Sequence, residues 1–177
     1  MGDHRKMNLK KRLRQLCFAA LLFLGSLFLL SRWSEKNEIL TALPPEEQQM
    51  LEKSPQFTLY SLLSHPEPEE LKTRSTFHDN LILGQTQVIS AKTRTDLLTA
   101  FYEGLDKGYA MACFNPRHGI RVVQNNKTVD LVICFECQQV EIYDSQGKRT
   151  ITISDSPKSV FDHVLSEAKV PLPGPGP

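Results

Sequence analysis

The chain has 177 residues, enough for one domain and not comfortably two, and its 21 lysines and arginines nearly balance 20 acids. The balance hides an asymmetry: the first fourteen residues hold six basic side chains against one acid, leaving 15 cations against 19 acids in the remainder. With that surplus of acid, with Arg117 and Arg121 isolated and with no interleaving of aromatic and basic residues, the folded part excludes a nucleic-acid surface.

Residues 1–15 form a basic segment, and Leu16 to Leu30 is an apolar run broken only by Gly25 and Ser26. The run is short of the roughly 20 residues that span a bilayer comfortably. Arg32 and Trp33 stand where a signal peptidase needs small residues, and both suit a membrane interface. The expectation is an uncleaved signal anchor over 16–33, a single membrane pass with the N-terminus in the cytoplasm and the domain outside. Cleavage would instead give a secreted protein. Cys17 follows Gln15-Leu16 and lacks a lipobox context.

Residues 34–76 read as a linker rich in Pro and Glu with short elements. Pro44-Pro45-Glu46-Glu47 opens a short helix through Leu51, because proline suits the first turn and acids its positive end. Phe57 to Leu63 is a strand or a short helix, and His65 to Glu70 reads as an irregular surface loop. An α+β domain then occupies 77–170, with a start as early as residue 57 also open. Leu81 to Ile89 reads as a strand, and Thr95 to Leu105 as a helix with Leu97, Leu98, Phe101 and Leu105 at helical spacing. Next come a strand over Tyr109 to Phe114, a turn over Asn115 to Gly119 and a strand over Ile120 to Gln124. Asn125-Asn126 is a two-residue hairpin signal leading into the apolar strand Thr128 to Phe135. Gln139 to Asp144 and Arg149 to Ile153 complete a meander around a turn at Ser145 to Lys148. Ser156-Pro157 begins a last helix with Val160, Phe161, Val164 and Leu165 on its apolar face, and residues 171–177 form a Pro/Gly tail. The fold expected is an antiparallel meander sheet of about five or six strands with two helices packed on it, preceded by the anchor helix. Neither a βαβ alternation nor a glycine-rich phosphate loop is present, so a nucleotide-binding fold is not expected.

The chemistry is concentrated in one stretch, ordered Cys113-x4-His118-x15-Cys134-x2-Cys137. In a meander, the turn after the first strand and the break after the third fall at the same end of the sheet. All four side chains are therefore expected at one rim. Three cysteines and a histidine suit tetrahedral zinc, with the CxxC half at a usual spacing. An oxidising compartment favours a disulfide instead, and inert buried thiols are the third reading. Three extended steps would separate Cys134 and Cys137 by roughly 10 Å, beyond the ~7 Å limit for a bridge. The CxxC must then lie on a turn for either reaction, with Cys113 and His118 facing it. Thioredoxin-like exchange needs a helix N-terminus at the first cysteine, and strands flank this one. A Cys113–His118 nucleophile pair lacks an orienting group and an oxyanion hole. His65 and His78 have no partner in sequence and read as surface or capping residues, and His163 as one that packs or caps.

The motifs CF-x-PRH, Cys113 to His118, and VDLVICFEC, Val129 to Cys137, resemble those of uncharacterised bacterial membrane-anchored or secreted proteins. The resemblance spans roughly residues 57–172, through FHDNLILGQTQV and SPKSVFDHVL, and implies a common domain without an activity. Two functional classes follow. The first is a membrane-tethered extracytoplasmic domain of non-catalytic role, whose Cys/His cluster is a structural metal or disulfide site. The alternative is a small metal- or thiol-dependent enzyme acting at that rim.

Overall fold

A computed structural model describes residues 43–105 and 110–174. The expected anchor over 16–33, Cys17 and the last three residues lie outside them. Helix α1, Pro45–Lys53, begins with proline at its first turn, carries Glu46 and Glu47 at its positive end and Lys53 at its negative end, and buries Glu47, Met50 and Leu51. Strand β1, Gln56–Leu63, is buried without a break from Phe57 to Leu62. Helix α2, Pro68–Thr73, is closed by a capping box between Glu67 and Glu70. Strands β2, Thr76–Phe77, and β3, Asn80–Gln87, form a hairpin. Helix α3, Ala91–Gly104, is capped by the Ser90 side chain accepting from the Thr93 amide. Strands β4, His118–Gln124, β5, Lys127–Cys134, β6, Gln139–Asp144, and β7, Gly147–Thr152, form the meander, and helix α4, Lys158–Glu167, follows.

All seven strands join one antiparallel sheet in the order β2-β3-β1-β4-β5-β6-β7. The architecture is α+β as expected, and the described residues hold seven strands where five or six were expected and four helices where two were. Its register aligns Leu59, Ile120, Leu131 and Ile142 across four strands, each at 0 % exposure. Leu97 and Phe101 of α3 and Phe161 and Leu165 of α4 complete this core. Burying each such side chain stabilises the fold by ~1.5–3 kcal/mol. The opposite face carries a smaller cluster of Tyr60, Leu62, Phe77 and Val132. There Gly119 lets the Phe77 ring reach the backbone of β4, since a Cβ would stand 2.8 Å from that ring.

The Asn125-Asn126 hairpin forms as expected, with φ of 50° and 61°. Of the two readings open for Phe57 to Leu63, the strand is the one found, at the centre of the sheet, pairing with β3 on one side and β4 on the other; its continuous burial reflects apolar packing on both faces. Three expectations are corrected. The segment after Pro66 holds α2, because Glu67-Pro68-Glu69-Glu70 supplies the cap and first turn of a helix. The long helix begins at Ala91, four residues early, since Ser90 is the cap rather than Thr95-Asp96. The expected strand over 109–114 is absent from residue 110 onward. Its backbone bonds elsewhere: the Met111 amide donates to the Cys137 carbonyl at 3.2 Å, and the Gln139 side chain donates to the carbonyls of Met111 and Cys113.

Candidate functional site

The β5–β6 connection is the turn that the CxxC spacing demands. Strand β5 ends at Cys134, β6 begins at Gln139, and Gln138 adopts φ of 57° where its amide donates to the Phe135 carbonyl at 3.2 Å. The bend brings the Cys134 and Cys137 alpha carbons to 5.2 Å and the two sulfurs are joined as a disulfide, both residues 1 % exposed. Cys137 donates its amide to Cys134 Sγ at 3.1 Å, and the Asn115 amide donates to Cys137 Sγ at 3.2 Å. The bridge therefore fastens the 111–115 segment as well as its own turn. Cys113, in that segment, is a free and exposed thiol.

The shared rim is found, but the four side chains do not converge there. His118 lies in β4, not in the turn expected over 115–119, and is opposed to Ile133, one residue before Cys134. Alternation along paired strands then sends His118 and Cys134 to opposite faces of the sheet. Cys113 points to solvent rather than facing the pair. Among the described residues, no three His, Cys, Asp or Glu side chains are grouped as a metal ion would require.

What His118 meets instead is α4. Its Nε2 donates to Asp162 Oδ1 at 2.8 Å, Lys158 Nζ donates to Asp162 Oδ2 at 2.6 Å, and the imidazole packs between the rings of Phe135 and Phe161. At 1 % exposure, burial pushes the His118 pKa down and outweighs the pull of Asp162 upward. The bond from His118, helped by Lys158, holds the Asp162 carboxyl down to about 2. The result is a neutral imidazole with its proton on Nε2, locking the last helix to the centre of the sheet.

Two further clusters join residues that sequence reasoning left apart. On the opposite face, Asp130 accepts from His78 Nε2 at 2.7 Å and from two nitrogens of Arg121 at 2.8 and 2.6 Å. The His78 ring stacks on Tyr143 with centroids 3.8 Å apart, and Arg121 lies 5.0 Å over the Phe77 ring. The bond with Asp130 raises the Arg121 pKa further. The second cluster ties α1 to the β6–β7 hairpin. Arg149 pairs with Glu47, and with Asp144 at 2.6 Å. Burial, then the hydrogen bond to Asp144, pushes Glu47 up to about 7 against the pull of Arg149, while Asp144 is held down to about 2 by that same bond. The two carboxyls thus share one proton beside one guanidinium.

Two open clefts flank Ile89, which is 92 % exposed. One of about 480 Å³ is lined by Ser90, Thr93, Val160 and His163, and another of about 780 Å³ by Glu52, Arg94, Leu98 and Tyr102. Neither contains Cys113, His118, Cys134 or Cys137. None of the described helices is long and apolar enough to cross a membrane. Comparison of the chain with models of protein families, with curated proteins and with solved structures finds no match.

Proposed function

We propose that residues 43–174 form the extracytoplasmic part of a membrane-tethered protein, a non-catalytic module whose CxxC is a structural disulfide. The observation that carries this reading is the buried Cys134–Cys137 bridge, since such bonds persist in oxidising compartments. The six basic residues ahead of the apolar run agree with it, because they favour retention of the N-terminus in the cytoplasm. The acid and base side chains of the domain also favour structural roles. His118 is engaged by Asp162, His78 by Asp130, and Arg149 by Glu47 and Asp144.

Thiol counting on the denatured full chain, with fractionation, tests the reading. Two of the four thiols, Cys17 and Cys113, should alkylate before reduction and all four after it. Protease added outside intact vesicles should remove the domain and spare the basic segment. Four reactive thiols with co-purifying zinc would establish the metal reading instead, with Cys113, His118, Cys134 and Cys137 as the set to be rearranged around the ion. A domain protected from external protease would overturn the topology.

A further inference from the structure

Among the described residues, four buried side-chain polar atoms lack a hydrogen-bond partner in the protein, and two of them, Ser61 Oγ and His118 Nδ1, belong to directly opposed residues; Arg117 Nε and Tyr102 Oη lie elsewhere. Arg117 Nε has Glu136 Oε2 3.4 Å away as an ionic partner. Ser61 Oγ and His118 Nδ1 have nothing. The two residues are directly opposed on β1 and β4, at 0 % and 1 % exposure. Their neighbours show that they share a face. Tyr60 and Leu62, on either side of Ser61, lie in the Phe77 cluster, and Gly119, next to His118, presses against that same Phe77. Ser61 and His118 therefore both project to the side covered by α4, where His118 meets Phe161 and Asp162.

Two unsatisfied polar atoms, adjacent and sealed from solvent, are rare in native proteins. Such pairs are resolved by an ordered water far more often than by leaving both dry. Opposed side chains have Cβ atoms ~4.5–5.5 Å apart, and with the short serine side chain a single water closes the remaining span. We propose that Ser61 and His118 enclose an internal water-binding site, with one water donating to His118 Nδ1 and accepting from Ser61 Oγ–H. This water completes a line running Ser61, water, His118, Asp162, Lys158. It holds the imidazole in the tautomer that donates from Nε2 to Asp162, and so fixes the bond between α4 and the sheet. Serine, histidine and aspartate in that order are also a hydrolase's nucleophile, base and acid. Here the serine is at 0 % exposure, closed to any substrate, and the line is structural.

Diffraction at high resolution from the full chain in detergent, together with equilibrium unfolding of Ser61→Ala, tests the site. The expected result is an oxygen within ~2.6–3.2 Å of both atoms. Ser61→Ala should lower the folding equilibrium constant roughly five- to thirty-fold, because His118 Nδ1 then loses its bridged partner. A dry pair overturns the proposal. So does a Ser61→Ala protein as stable as the parent or more so, since deleting an unpartnered buried hydroxyl relieves a desolvation penalty. Should the variant not fold, diffraction from the parent chain alone decides.

Discussion

Replacing Asp162 by alanine tests whether α4 is fastened to the sheet by a buried polar contact or merely by its apolar face. The variant leaves His118 Nε2–H at 1 % exposure without its acceptor, formerly at 2.8 Å. A buried donor so abandoned costs about 1–3 kcal/mol. The lost pair with Lys158, whose side chain is 38 % exposed and one helical turn away, adds only a few tenths of a kcal/mol. The expected loss is about 2 kcal/mol, or roughly 6–10 °C in Tm for a domain of this size. Urea unfolding and thermal melts at pH 7 measure it, with Glu167→Ala on the exposed flank of the same helix as a control expected within ~0.5 kcal/mol of the parent. The difference also has a pH signature. Asp162 titrates at about 2 when folded and near 3.8 when unfolded, so its contribution is present above pH 4 and is lost as pH falls towards 2. An Asp162→Ala protein within ~0.5 kcal/mol of the parent at pH 7, or a difference that does not shrink in acid, would refute the polar-latch reasoning.

Three other perturbations probe the remaining clusters. Glu47 is raised to about 7 from 4.5, so its contribution is full below pH 4.5 and is lost as pH rises through 7. Glu47→Gln should flatten that part of the urea-midpoint profile between pH 4.5 and 7, and an unchanged profile would count against the shared-proton pair. Reducing the Cys134–Cys137 bridge, with its separation of three residues, should cost about 2 kcal/mol by loop entropy, read from unfolding with and without dithiothreitol; a loss above ~4 kcal/mol would mean that the 111–115 segment depends on it far more than its contacts imply. Asp130→Ala leaves His78 and Arg121 at 23 % and 42 % side-chain exposure, where water can replace the carboxylate, so a loss of about 1–2 kcal/mol is expected. A double-mutant cycle with His78→Ala should return a coupling of about 1 kcal/mol, and additivity would show the two side chains to be independent.

Local chemistry made much of the meander legible. Asn125-Asn126 tolerates the positive φ of a two-residue hairpin, and Gln139 to Asp144 alternates apolar and polar, so strand boundaries there follow from the residues themselves. The CxxC bend was legible for a different reason: chain geometry forbids the chemistry of two cysteines three residues apart on a straight strand. The departures at α2 and at the start of α3 turn on the local caps at Glu67 and Ser90; elsewhere the deciding interaction is distant in sequence. Phe57 to Leu63 carries apolar residues on both faces, a pattern that periodicity cannot assign, and only pairing with β3 and β4 makes it a central strand. Ala110 to Phe114 has strand-like composition, yet its backbone partners are Cys137 in the turn and the side chain of Gln139 at the start of β6.

The histidines show where the limit of local reading falls. His78 and Asp79 adopt φ of 47° and 64°, forming a two-residue hairpin turn without the asparagine or glycine that usually announces one. Once that turn folds β2 back on β3, His78 reaches an aspartate 52 residues away. The local clue was Asp130 itself, the lone charge in the apolar run Val129 to Cys134, which demands a partner wherever the fold can supply one. The same logic applies to Asp162. Its spacing from Lys158 is legible as one helical turn, but the register that opposes it to His118 exists only after the helix docks. Each carboxylate takes the histidine or arginine that the topology brings to it, Asp130 taking His78 and Arg121 and Asp162 taking His118. Cysteine spacing points to the rim and no further, because the disulfide satisfies Cys134 and Cys137 between themselves and leaves His118 free to serve α4.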